Sequence, residues 1–308
     1  LGFNWDKVTY SSDNFQQLYD WAILLIKKGK AYVDSQTSEE MAEQKGTPTT
    51  VGKNSPHRDR GVEENLNIFN EMKNGVHKEG VHVLRAKIDM SHPNMLMRDP
   101  IIYRVLNKPH HRTSTDWKIY PMYDWAHGQC DYIEQVSHSL CSLEFKPHRD
   151  LYEWFIESIK PETQNMSVLP KQREFARLNL SYTIMSKRKL AVLVEKEFVD
   201  GWDDPRMPTI SGLRRRGYTP KSIREFINKV GVAKRENVID VSLLEFCVRE
   251  DLNKEADRKM VVIDPVKLTI TNYPEGKTEE LESEDNPEKD SIKKRIIPFN
   301  KHLYIERE

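Results

Sequence analysis

The sequence predicts a chain that runs mixed α/β, then helical, then β. Three observations carry this. Apolar stripes at i, i+3, i+4 spacing alternate with short apolar runs over roughly the first half. Helical periodicity dominates from Ser186 to Arg249, with breaks at Gly201–Pro208 and Gly217–Pro220. Beyond Met260 the apolar residues come in short β-branched runs, as strands do.

Taken in order, Ser11-Ser12-Asp13 offers N-cap oxygens ahead of Phe15, Leu18, Tyr19, Ala22, Ile23 and Ile26, so a helix starts there and ends near Lys30. Thr37-Ser38-Glu39-Glu40 is a capping-box pattern that opens a second helix. Gly46 to Gly61 is polar and rich in Pro and Gly, hence a loop, and Val62 to Met72 is a helix. Val83 to Ile88 and Ile101 to Val105 are strands. Asp124 to Val136 is helical, His138 to Phe145 is a short buried strand, and Leu151 to Ile159 is an amphipathic helix. Val261-Val262-Ile263, Lys267 to Thr271, Ile296-Ile297 and Leu303-Tyr304-Ile305 are strand-like. Glu275 to Asp290 contains Gly276 and Pro287 and almost nothing apolar, which predicts a mobile loop between strands.

The 308 residues make about two average domains. Lys plus Arg and Asp plus Glu are 48 each, so the formal net charge is zero. That balance hides local fields. Residues 201–240 carry nine basic and five acidic side chains, including Arg214-Arg215-Arg216, a candidate polyanion surface. Hydrophobic residues at 37% suffice for a core, and no run of about 18 apolar residues exists to span a membrane. The opening residues lack the basic-then-apolar order of a signal peptide. Three cysteines (Cys130, Cys141 and Cys247) are far apart and odd in number, which fits a reduced, cytoplasmic setting. The chain opens at Leu1 on what reads as the middle of a domain, so a fragment of something longer is expected.

Most chemical motifs fail. Gly46-Thr47-Pro48-Thr49-Thr50-Val51-Gly52-Lys53-Asn54 approaches a phosphate-binding loop, but five residues separate the glycines where four are needed, and Asn54 replaces the magnesium-binding hydroxyl. No GxGxxG occurs, and the histidines show no metal spacing.

One constellation stands out. Met185-Ser186-Lys187-Arg188-Lys189 follows Glu174-Phe175-Ala176-Arg177-Leu178-Asn179-Leu180 and precedes the stretch from Gly201-Trp202-Asp203-Asp204-Pro205 to Gly217-Tyr218. Here the chain resembles the class I aminoacyl-tRNA synthetases, whose lysine loop has the signature KMSKS. More narrowly it resembles the branch of glutaminyl enzymes and of archaeal and eukaryotic glutamyl enzymes. Asn54-Ser55-Pro56 with Arg58-Asp59-Arg60, Leu84 to Met90, Arg98-Asp99-Pro100 and Ile119 to Asp124 fit as well, so the resemblance covers essentially the whole chain.

The resemblance implies a partial class I Rossmann-like catalytic domain with an α+β acceptor-binding insertion, a helical domain and the start of a β-barrel. The implied boundaries are 1–11 for a remnant of the first Rossmann half, 12–119 for the insertion that holds the tRNA acceptor end, 120–176 for the second half, 177–257 for the helical domain and 258–308 for the barrel. It implies ATP-dependent attachment of an amino acid to tRNA, with Mg2+ accompanying ATP and no protein metal ligands. Lys187 would be catalytic, neutralising charge that grows on phosphate oxygens. Ser142, Arg177, Leu178, Met185, Ser186 and Lys187 would bind ATP. Tyr123, His127 and Gln172 would bind the amino acid, and a phenol with an ordered water suits an uncharged carboxamide. Related glutamyl enzymes carry an arginine in the strand where this chain has Cys141, so a neutral Cys141 favours L-glutamine and tRNA(Gln) over glutamate. Pro48, Lys234, Arg235 and Arg258 would contact tRNA, with Pro48 at the tip of a loop that wedges open the first acceptor base pair. Neither DNA nor membrane is implied as a partner. The family's upstream His-x-Gly-His motif does not occur here, so this chain alone is expected not to form the adenylate. The alternatives are a glutamyl-tRNA synthetase of the archaeal or eukaryotic type, and a non-catalytic tRNA-binding module.

Overall fold

A computed structural model describes residues 1–160, 167–289 and 293–307. They form two compact units.

One unit holds Trp5–Arg177 with Ala233–Arg235. Its helix α1 (Phe15–Lys27) buries Phe15, Leu18, Tyr19, Ala22 and Ile26 of the expected stripe, while Ile23 is half-buried and Leu25, outside that stripe, is buried with them. Each buried Leu or Ile of this helix contributes about 1.5–3 kcal/mol by leaving water. Helix α2 (Ser38–Lys45) opens on a capping box, with Thr37 accepting from Glu40 N and Glu40 accepting in return. Helix α3 (Val62–Lys73) packs Phe69 and Met72 into the same core, and Tyr19 stacks on Phe69 at 5.0 Å. Helices α1 and α3 pack on an antiparallel sheet in the order β1 (Ala31–Asp34), β2 (Val83–Ala86), β3 (Ile101–Val105), β4 (Ile119–Pro121). Neither β1 nor β4 is anticipated by the sequence.

The same unit continues with α4 (Tyr123–Ile133), β5 (His138–Ser142), α5 (Arg149–Ile159) and β6 (Lys171–Phe175). β5 and β6 are parallel, Ser139 opposite Gln172 and Cys141 opposite Glu174. A parallel pair needs a crossover, here α5 and the short 3-10 helix Leu143–His148 that precedes it. The strand expected to reach Phe145 therefore ends at Ser142.

The second unit holds Leu1–Asn4, residues 178–232 and residues from 236 onward. Helices α6 (Lys187–Glu195), α7 (Ile210–Arg215), α8 (Pro220–Val230) and α9 (Val241–Glu255) come first. Thr219 and Asp240 cap α8 and α9, and Phe226, Leu244, Cys247 and Val248 form the core between them. Strands β7 (Val266–Thr269), β8 (Thr278–Glu284), β9 (Lys294–Asn300) and β10 (His302–Ile305) follow, paired antiparallel as β7 with β10 and β8 with β9. Asn286, beyond β8, ties this part to α9 by donating to the carbonyls of Asn253, Lys254 and Ala256.

Two expectations are corrected. Glu275 to Asp290 is not a loop throughout, because Thr278–Glu284 is strand β8. Glu284 lies opposite Lys294 and Glu282 is 2.8 Å from the same ammonium, so the basic start of β9 offsets the repulsion at that end of β8. Val261-Val262-Ile263 is no strand; Val261 and Ile263 are exposed and no described strand pairs with them. The three cysteines are free thiols, as expected. No described helix is long and apolar enough to cross a membrane.

Candidate active site

Helix α4 carries Tyr123, His127 and Asp131 at i, i+4 and i+8, so all three lie along one stripe. The Tyr123 and His127 rings stack at 5.2 Å, and the phenol oxygen is 3.2 Å from His127 Nδ1. His127 Nε2 lies 2.8 Å from Ser139 Oγ on β5 and 3.2 Å from Asp131 Oδ2. Tyr152 on α5 donates to the same carboxylate at 2.9 Å. Gly128 makes room for that ring, since a Cβ there would meet Tyr152 ring carbons at 3.1 Å.

This contact order sets the direction of every hydrogen. A carboxylate only accepts, so the tautomer that carries its proton on Nε2 satisfies Asp131 and leaves Nδ1 as an acceptor. The Tyr123 hydroxyl therefore donates to His127 and keeps its oxygen lone pairs for a ligand. Burial raises the Asp131 pKa, but hydrogen bonds from His127 and Ser139 outweigh it and hold the carboxyl below its ordinary value. Burial, then the neighbouring Cys141, Asp124 and Asp131, push the Tyr123 phenol up to about 12, so it stays protonated at neutral pH.

β5 and β6 complete this face. Ser139, Cys141, Gln172 and Glu174 alternate inward with the strand period of two. Gln172 is 1% exposed, and its amide nitrogen donates to Phe145 O at 2.7 Å and Glu174 Oε1 at 2.8 Å. Both partners only accept, which fixes the nitrogen end there. The Gln172 carbonyl oxygen is buried without a partner among the described residues, an acceptor open to a ligand or water hydrogen. Burial pushes the Cys141 thiol up, so it is neutral. Glu174 is paired with Arg149.

Ser142 and Arg177 approach each other through Glu144. The Ser142 hydroxyl hydrogen-bonds Glu144 and Arg177 adds its field, both lowering that carboxyl. Arg177 is exposed, and Leu178 is half-buried in the other unit.

In that other unit, Asn179–Ser181 is bound alongside Ile239: Ile239 N donates to Asn179 O and Ser181 N to Ile239 O. Beyond it Met185 is 43% exposed, Ser186 stands at the N-cap of α6 and Lys187 is its first residue. Lys187 is exposed and makes no hydrogen bond or ion pair among the described residues. Lys187, Arg188 and Lys189 add three positive charges to the positive end of a helix, a combination suited to phosphate oxygens.

Pro48 is exposed on the turn closed by Thr47 and Thr50. Lys234 and Arg235 are exposed, without a partner among the described residues. Arg258 is exposed, and its side chain is bonded to Glu288 at 2.7 Å and to Asn253 O. The sequence reading missed Asp131, Ser139 and Tyr152. The repeat of four from Tyr123 through His127 to Asp131 was the available signal; nothing local marks the other two.

Residues 256–308 match the family model "tRNA synthetases class I (E and Q), anti-codon binding domain". The chain is 54% identical over 308 residues to a glutamine–tRNA ligase of Clostridium kluyveri, covering all of this chain and 54% of that protein. It is 56% identical over 308 residues to one of Rhodopirellula baltica, covering all of this chain and 50% of that protein. The chain thus spans about half the length of the curated relatives it matches. A crystal structure of a glutamate tRNA ligase from Elizabethkingia meningosepticum superposes with a TM-score of 0.50 at 17% identity, covering 80% of this chain and 55% of that one, a likeness of fold. Residues 1–254 match the model "tRNA synthetases class I (E and Q), catalytic domain", and the chain belongs to that family.

Proposed function

We propose that the full-length protein carrying this chain attaches glutamine to tRNA(Gln). The glutamine carboxylate attacks the α-phosphate of ATP and pyrophosphate leaves; the terminal adenosine 2′-hydroxyl then attacks the glutaminyl carbonyl and AMP leaves. The observation that carries this reading is the Tyr123 oxygen, held as an acceptor by His127 and Asp131. A carboxamide has two N–H hydrogens. One suits Tyr123, and the other suits a water held by the Gln172 carbonyl. A glutamate carboxylate has no hydrogen to give and would meet lone pairs beside a neutral Cys141.

Lys187 is the group proposed to neutralise phosphate charge as it grows, because its ammonium is exposed on a flexible stem. Met185 and Ser186 would hold the loop against the nucleotide, Leu178 would pack on adenine, and Ser142 and Arg177 would contact ATP. No described cluster of three His, Cys, Asp or Glu offers a metal cage, so Mg2+ would ride on the triphosphate. Residues 12–119 would hold the acceptor end, between Rossmann-like segments 1–11 and 120–176. Lys234 and Arg235, on the Ala233–Arg235 stretch that belongs to the first unit, and Arg258, opening the barrel segment 258–308, would follow the RNA. Three free cysteines support a cytoplasmic site of action.

The test is a charging assay on the full coding sequence with each amino acid. Glutamine should exceed glutamate by about 10⁴-fold, because a site built to bond an N–H rejects an analogue lacking it. Equal charging would overturn the assignment.

A further inference from the structure

Arg98 is 2% exposed, yet among the described residues no carboxylate lies within ion-pair distance of it. Buried guanidinium groups ordinarily have such a partner. Arg98 instead donates through Nη1 to the carbonyls of Lys45 at 2.8 Å, Thr47 at 3.0 Å and Thr50 at 2.8 Å, and through Nε to His92 O at 2.7 Å. Three of its four partners lie on the last residue of α2 and the surface loop that follows it. That loop holds its shape only while the buried charge is satisfied, and the charge is satisfied only while the loop holds its shape.

The two ends of this link are firm. The next residue, Asp99, takes a left-handed backbone and accepts from Tyr32, Arg58 and Ile88 N, while Arg85 donates to its carbonyl. Arg98 therefore cannot shift without opening the core. On the loop side, Gly46 has φ +74°, and a Cβ there would lie 2.7 Å from Thr50 O. Gly52 N donates to Met90 O, and Lys53 N to Gln44 O. Thr47 Oγ1 contacts the hydroxyls of Thr49 and Thr50. The glycines that resemble a phosphate loop thus serve a carbonyl-lined turn around a guanidinium. Two apolar side chains remain on the outside, Pro48 and Val51, the latter 66% exposed.

We infer that Arg98 is a positioning residue that presets the Lys45–Gly52 loop, so that Pro48 and Val51 form a rigid apolar tip that is inserted against the terminal base pair of an RNA duplex. The inference rests on the tRNA reading above. A tip already ordered avoids the entropy of ordering on contact and can apply its contact energy to unstacking.

The experiment uses this chain and two hairpin RNAs with the tRNA(Gln) acceptor sequence, one with the first base pair intact and one with it mismatched. Arg98→Lys keeps the charge but cannot reach four carbonyls. It should weaken binding of the intact hairpin by about tenfold, the scale of lost charge-assisted hydrogen bonds, and leave the mismatched one within about twofold. Gly46→Ala disturbs the loop from its exposed side and should give the same pattern if Arg98→Lys lowers the melting temperature. Equal losses on both hairpins, or no loss on either, would overturn the inference. If the unaltered chain binds neither hairpin, the tRNA reading falls and the inference with it.

Discussion

The phenol oxygen of Tyr123 lies 3.2 Å from Nδ1 of His127, and this one contact makes Tyr123 an acceptor for whatever binds beyond it. The polarity originates eight residues along α4, at Asp131, and passes through the imidazole.

Tyr123→Phe removes that acceptor. The side chain is 51% exposed, so folding should change little. Glutamine binding should weaken by about fivefold, near the 1 kcal/mol of a net hydrogen bond, as read by ligand-induced shifts in melting temperature of the full-length protein.

Asp131→Asn tests the direction of the hydrogens. An Asn amide donates to Nε2, which moves the proton to Nδ1 and makes Tyr123 a donor toward the ligand. The glutamine-to-glutamate ratio of kcat/KM should fall by about tenfold or more. An unchanged ratio would mean that Asp131 does not set the polarity.

Acid should expose the same carboxylate. Because the folded Asp131 has a pKa below its ordinary 3.8, its contribution is complete above that value and is lost as pH falls through the lower, folded one. Urea midpoints of the wild-type chain and of Asp131→Asn, measured from about pH 5 to about pH 2, should therefore converge toward the acid end.

Lys187→Ala should leave the fold intact, since the side chain is exposed and unpartnered among the described residues. In the full-length protein the rate of adenylate formation should drop by about 10² or more, the usual loss when a transition-state charge partner is removed, with tRNA affinity changed far less. Single-turnover kinetics beside filter binding separates the two.

Much of the fold is legible locally. The α1 stripe, the Thr37 capping box and the strand Ile101–Val105 follow from spacing and short-range hydrogen bonds. β6 and β8 are not legible, because their stability lies in partners. Gln172 and Glu174 are buried only once β5 lies alongside, and the acidic β8 is tolerable only against the basic start of β9. Arg258, read as an RNA contact, also holds Glu288, a pairing of residues 30 apart in the chain.

Taken alone, the order of residues determined the kind of molecule: the lysine loop, the phenol segment and a neutral Cys141 are all visible in it. Tertiary structure decided which way the hydrogens run at Tyr123 and what holds the Pro48 loop. Both depend on contacts that no local pattern encodes, between His127 and Ser139 12 residues apart, Tyr152 and Asp131 21 apart, and Arg98 and Thr50 48 apart. A hydrogen bond acquires direction only when both of its ends are brought together in space.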